Sequence, residues 1–176
     1  MTTTINASTS SGLVVSPDNS GNIVLQYNGV AAPAFSVYET ATQSFSSSTW
    51  TKVAFDTKEY DTNTNFSVAN SRFTPTVGGY YQINATADCD AGSSANNLQR
   101  GVLAIYKNGT LYKCGGVAWS LANGNRELST NVASVVFCNG TTDYVEIYIY
   151  GIASTNINTG GGAVYTWMNG CLLRGA

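Results

Sequence analysis

Apolar and polar side chains alternate from Tyr81 to Cys89. Tyr81, Ile83, Ala85, Ala87 and Cys89 fall on one side of an extended chain, and Gln82, Asn84, Thr86 and Asp88 on the other. Successive side chains of a strand point to opposite faces, so this stretch predicts a β-strand with one buried and one polar face. Period two returns at residues 101–108, 127–137 and 144–150. In the last of these, Val145, Ile147 and Ile149 share the apolar face and leave Tyr144, Glu146, Tyr148 and Tyr150 opposite. Shorter strands are predicted at 34–39, at 51–56 with Val53 and Phe55 on one face, and at 66–68 and 72–74.

Turn formers separate these runs. Lys107-Asn108-Gly109-Thr110 is a specific hairpin signal, because both central residues tolerate positive φ, and it returns the chain antiparallel through 111–114. Asn139-Gly140 reverses the chain again, and Gly78-Gly79 precedes the Tyr81 strand. Residues 59–65, EYDTNTN, read as a polar connection, 91–97 and 121–126 as turns, 153–162 as the last loop and 163–174 as the closing strand. Roughly eight to ten short strands joined in this way predict an all-β fold, a jelly-roll β-sandwich of about ten antiparallel strands, with an up-and-down barrel as the alternative.

The front of the chain has a different character. Residues 1–11 are polar, and GLVVSPDNSGNIVLQYNG reads as two short strands, 13–16 and 22–26, around Pro17-Asp18. A lone hairpin is marginal in water, so this one needs a surface to rest on. The expected division is an amino-terminal attachment or stem segment, 1–32, and a jelly-roll domain, 33–176.

Only 10% of the 176 residues are charged, and eight basic against ten acidic residues give a formal charge of -2. The basic residues are scattered, whereas nucleic-acid binders draw affinity from clustered phosphate contacts, so no nucleic-acid partner is expected. No apolar run reaches membrane-spanning length, and the first residues lack the charged and apolar regions of a secretory leader, so neither membrane insertion nor export by a cleaved leader is expected. Low charge at this size fits a surface partly hidden in an assembly.

The chain contains no histidine. That removes the histidine base, the histidine metal ligand and the Ser-His-Asp and Cys-His nucleophiles together. Asp56, Glu59 and Asp61, and Asp88 with Asp90, are the remaining candidates for carboxylate chemistry, but solvation at strand ends and loops accounts for them and no catalytic residue is assigned. Calcium would be the better use of those oxygens, although Asp88-Cys89-Asp90 lacks a full ligand pattern, so no metal or cofactor site is assigned. Gly160-Gly161-Gly162 has no following Lys-Ser/Thr and reads as a loop allowing close backbone packing rather than a phosphate cradle. Cys89, Cys114, Cys138 and Cys171 read as free thiols used as small apolar side chains, with disulfides as the alternative.

The tyrosine-rich face of 144–150 bears on assembly. Tyrosine buries large area while its hydroxyl keeps a polar partner, so Tyr144, Tyr148 and Tyr150 are expected at a subunit interface, with Tyr165 and Trp167 of the last strand extending the seam. The alternative is a partly exposed sheet face.

Three separated groups then acquire a common meaning: Phe73-Thr74-Pro75 with Gly79-Tyr80-Tyr81, Leu103-Ala104-Ile105-Tyr106-Lys107-Asn108-Gly109, and Trp167-Met168-Asn169-Gly170-Cys171-Leu172-Leu173. In this order they resemble the globular head of the complement q subcomponent and the wider tumour-necrosis-factor-like jelly roll, over residues 33–176. The resemblance implies a compact homotrimer. It also implies a central strand after the Phe-Pro-Gly-Tyr group and an inner closing strand, and some members hold calcium near the trimer apex. There is no Gly-X-Y stem. SGLVVSPDNSGNIVLQYNG is instead similar to the short leader preceding β-structured domains of tailed-bacteriophage virion proteins. The expectation is a structural virion protein, a trimeric fibre knob that docks on other virion proteins through its amino-terminal segment and meets a bacterial surface polymer. The alternatives are a capsid decoration or neck component and a free cellular or secreted binding module.

Overall fold

The computed structural model describes residues 26–27, 30–92, 97–119 and 124–176, and among these every regular element is a strand. In chain order they are β1 (Gln26–Tyr27), β2 (Val30–Ala31), β3 (Ala34–Tyr38), β4 (Ser44–Phe45), β5 (Thr51–Lys52), β6 (Thr57–Asp61), β7 (Phe66–Ser67) and β8 (Arg72–Phe73). There follow β9 (Gly79–Asp90), β10 (Arg100–Lys107), β11 (Thr110–Trp119), β12 (Glu127–Cys138), β13 (Val145–Ile152), β14 (Ile157–Asn158) and β15 (Trp167–Gly175). The expected strand at 13–16 and residues 22–25 of the one expected at 22–26 lie outside the described residues. β1 and β2 pair antiparallel with each other, Gln26 opposite Ala31.

The remaining strands form two antiparallel sheets, which is the jelly-roll sandwich that the alternation predicts. One sheet has six strands: β11, β10 and β13 lie side by side, and β13 also pairs with β5 and β8, beyond which lies β7. The other has seven. Its long member β9 is flanked by β12 along its whole length on one edge and by β15 on the other, and β15 leads to β3 and β6. β4 and β14 extend this sheet at the Asp90 end of β9.

The core lies between the sheets and follows from period two. Tyr81, Ile83, Ala85, Ala87 and Cys89 are all buried, as predicted, and they face Leu103, Ile105, Val145, Ile147 and Ile149. At one end Phe35 stacks on Phe73 with ring centroids 4.3 Å apart, and Tyr81 meets Phe73 edge to face at 5.3 Å while its hydroxyl donates to Val77 O. Gly170 of β15 is a requirement of this packing: a Cβ there would lie 2.7 Å from Gln82 O and 2.9 Å from the Phe35 ring.

The two asparagine turns are tied together. Asn108 and Gly109 have φ of 54° and 75°, the left-handed pair expected of an Asn-Gly hairpin. Asp143 accepts from Asn108 Nδ2 at 2.7 Å and from Asn139 N at 3.0 Å, and Lys107 Nζ lies 2.9 Å away. The Asn108 amide beside Asp143, together with Lys107 and the Asn139 N–H, holds its carboxyl below the usual range against the opposing effect of burial.

Two expectations are corrected. Residues 59–65 are not wholly a connection, because β6 runs through Asp61 and pairs with β3. It is an edge strand with exposed Lys58, Glu59 and Tyr60, so backbone pairing rather than an apolar face defines it. The closing strand begins at Trp167 rather than 163, since Gly162 takes φ of 110° and accepts from Tyr165 N and Thr166 N in a turn. Of the cysteines, Cys89 and Cys138 are buried, with burial pushing their thiols up to about 12 and about 11, whereas Cys114 and Cys171 are exposed; all four are free.

Candidate functional site

Each sheet turns one face outward, and the two faces are built differently. On the six-stranded sheet the outward positions of β13 are Glu146, Tyr148, Tyr150 and Ile152, opposite Tyr106, Ala104, Val102 and Arg100 of β10. The small residues beneath let the rings lie down and pack on one another. Tyr106 stacks on Tyr148 at 4.0 Å, and Trp50, just before β5, tilts against Tyr150 at 5.2 Å and meets Tyr106 at 6.0 Å. A cation sits at each end: the Arg100 guanidinium over Tyr150 at 5.4 Å and Arg72 over Tyr144 at 4.6 Å. Glu146 is bridged by Lys52 at 3.2 Å. Burial, then the neighbouring Glu146 carboxylate, pushes the Tyr148 phenol up.

The outward face of the seven-stranded sheet is apolar and largely uncovered at one end. Tyr80 (45% exposed), Phe137 (40%), Val135 (42%) and Leu173 (57%) converge there from β9, β12 and β15. Tyr80 meets Phe137 at 5.3 Å, and Tyr112 of β11 donates to Val135 O at 3.4 Å. Tyr80 and Leu173 also wall an open depression of about 560 Å³ with residues 174–176. Next along the face comes a polar ladder in which Gln82 Nε2 donates to Asn84 Oδ1 at 2.9 Å and Asn84 Nδ2 to Asn169 Oδ1 at 3.0 Å. Trp167 lies beyond it, paired with Thr86.

The structure therefore divides the five expected interface residues. Tyr144, Tyr148 and Tyr150 lie at the outer face of the six-stranded sheet, Trp167 opens β15 in the other sheet, and Tyr165 is exposed in the turn before it. Tyr165 and Trp167 do not extend the Tyr148 seam, because the sandwich stands between them. Tyr80, Val135, Phe137 and Leu173 were not singled out from the sequence. Their signal is the run of adjacent apolar residues: Tyr81 and Val136 enter the core while Tyr80, Val135 and Phe137 stay outside, Leu172 packs against the core while Leu173 is exposed, and the pairing of β9 with β12 and β15 brings the outer members together.

The carboxylates serve structure. Asp56 accepts from Thr40 N and Thr40 Oγ1; burial raises its pKa, but these bonds and Thr57 outweigh that and hold it low. Asp61 accepts from Asn65 N and Phe66 N and pairs with Lys58 at 2.8 Å, and Glu59 accepts from Ser36 Oγ at 2.7 Å. Asp88, Asp90 and Glu127 border a small open cavity of about 280 Å³ with Thr42, Thr159 and Tyr165. Burial, then the neighbouring Asp88 carboxyl, pushes Glu127 up. No cluster of three or more Asp, Glu, His or Cys suited to a metal ion occurs among the described residues. Gly160 and Gly161 do provide close packing: a Cβ on Gly160 would meet Asp88 Oδ2 at 3.1 Å, and one on Gly161 would meet Thr42 N at 2.9 Å.

Two antiparallel sheets in this order define the chain as a jelly roll, and solved structures place it among particular ones. It is similar to the globular domain of zebrafish complement 1qA, with 19% identity and a TM-score of 0.58, over 82% of this chain and 99% of that one. It is also similar to Eiger TNF from S. frugiperda (8% identity, TM-score 0.59, 82% and 94% covered) and to murine APRIL (11%, 0.56, 81% and 99%). At these identities the likeness is one of fold. No protein-family model and no curated protein sequence matches the chain.

Proposed function

We propose that the chain is a homotrimeric binding head rather than an enzyme, associating through the outer face of its seven-stranded sheet. The observation that carries this reading is the exposed cluster of Tyr80, Val135, Phe137 and Leu173 on a face whose neighbouring polar groups are already paired. Removing such rings from water is favourable, at roughly 25 cal/mol per Å² of apolar surface, and a symmetric oligomer hides three copies with one design. On the other face the rings already cover one another, so Tyr144, Tyr148 and Tyr150 remain outward in the assembly. The fold likeness to complement 1qA and TNF domains supports a head of this kind.

In this reading the head is a virion knob. Residues 1–32 attach it to other virion proteins, and the outward surfaces meet a bacterial surface polymer. The support is the similarity of SGLVVSPDNSGNIVLQYNG to the leaders of phage virion proteins. Light scattering on the eluting protein tests the association: the 18.5 kDa chain should run as three copies at micromolar concentration, and a concentration-independent monomer would sink the reading. Electron cryomicroscopy of the native particle tests the location, with density for the head at the tip of a fibre as the expected result and its absence from the particle as the refuting one.

A further inference from the structure

We propose that the aromatic belt on the six-stranded sheet is a binding platform for an acidic polysaccharide. Rings of Tyr148, Tyr106, Trp50 and Tyr150 follow one another across the face, joined by the contacts at 4.0, 6.0 and 5.2 Å given above; Arg100 lies on Tyr150, and Arg72 lies on Tyr144, which precedes β13, the strand of Tyr148 and Tyr150. From position 144 to 150 a strand advances roughly 20 Å, enough for several sugar rings in file. The side chains are partly exposed, and each is held by its neighbours, so little rotamer entropy remains to be lost on binding.

The chemistry selects the occupant. A pyranose offers a face of C–H groups to an aromatic ring and hydroxyls at its rim, which suits tyrosine and tryptophan, apolar in body and polar at the tip. Charge selects among sugars. Among the described residues this face gathers the cations Lys52, Arg72 and Arg100 beside the carboxylate Glu146, on a chain of net -2. Arginine matches a carboxylate with two parallel donors, so uronic or sialic acid units fit the ends of the belt. A single-stranded nucleic acid would also stack, but it needs cations tracking every phosphate, and here they stand chiefly at the ends.

The inference deepens the head reading by naming the class of polymer, and threefold repetition of the belt would add avidity. Its own test is monovalent. The full chain is titrated by tryptophan fluorescence with short oligogalacturonate and oligosialate, with dextran oligomers and oligothymidylate as comparisons, and its mass is measured by light scattering on the same samples. At least one acidic oligosaccharide should bind at least tenfold more tightly than dextran, and the binding should weaken on raising salt from 50 to 500 mM. Trp50→Ala should weaken it tenfold or more, and Arg72→Gln with Arg100→Gln should reduce it to the dextran level, with circular dichroism unchanged in each. Loss of binding in the arginine variant alone still supports the platform should Trp50→Ala fail to fold. Binding of neither acidic sugar, equal binding by folded variants, or tighter binding of oligothymidylate would overturn it. A monomer that binds sinks the trimer and keeps the platform; a trimer that does not bind does the reverse.

Discussion

The two outward faces of this sandwich carry similar numbers of large side chains, yet only one has them arranged to satisfy each other. On the six-stranded sheet, Val102 and Ala104 are small enough for Tyr148 and Tyr150 to lie over the strands, stack on Tyr106 and Trp50 and accept arginine caps. On the seven-stranded sheet, Tyr80, Val135, Phe137 and Leu173 stand out from adjacent strands and stay exposed, although Tyr80 and Phe137 meet at 5.3 Å. Counting aromatic residues does not distinguish a finished surface from an unfinished one; what lies beneath each ring does.

Breaking the floor common to both faces should have the largest effect. Gly170→Val forces a side chain against Gln82 O and the Phe35 ring, and a loss of about 3 kcal/mol or more is expected in urea unfolding, with both surfaces lost together. Phe137→Asp should come next: a carboxylate buried at the proposed contact weakens association by about 2 kcal/mol or more, giving monomers by light scattering, whereas Tyr148→Asp leaves the oligomer intact. The reverse outcome would exchange the roles of the faces.

The third test separates them by pH. The raised carboxyls belong to the seven-stranded side, where burial, eased by a Thr159 hydrogen bond and added to by Asp56, pushes Glu39 up to about 7. A raised folded-state pKa gives stability that is complete below about 4.5 and lost as pH rises through 7. Glu39→Gln should remove that decline and be more stable than the native chain above pH 7 by about 2 kcal/mol, measured by thermal melts across pH 4 to 8. Smallest is Tyr106→Ala, which deletes one stacked pair and should cost about 1 kcal/mol of stability without changing the mass of the assembly.

Much of the fold was legible because one face of each central strand is buried. The alternation in β9 and β13 fixed which side chains enter the core, and Asn108-Gly109 fixed a hairpin. β6 escaped because Lys58, Glu59 and Tyr60 are exposed on an edge, where pairing leaves no hydrophobic period. Ala163, Tyr165 and Trp167 share the parity of a strand face, and a left-handed Gly162 overrides that pattern. The proposed association face was the least legible part. A strand apolar on both sides has no period there, and Tyr80, Val135, Phe137 and Leu173 become one patch only once the register of three strands is known.

The polar strand β6 has a consequence for how far assembly proceeds. It ends its sheet with Lys58 bridged to Asp61 and Glu59 held by Ser36, a fringe of charge along hydrogen-bonding groups that would otherwise recruit another chain. Growth by adding strands at that rim is thereby discouraged, which suits the proposed broadside association better than an open polymer.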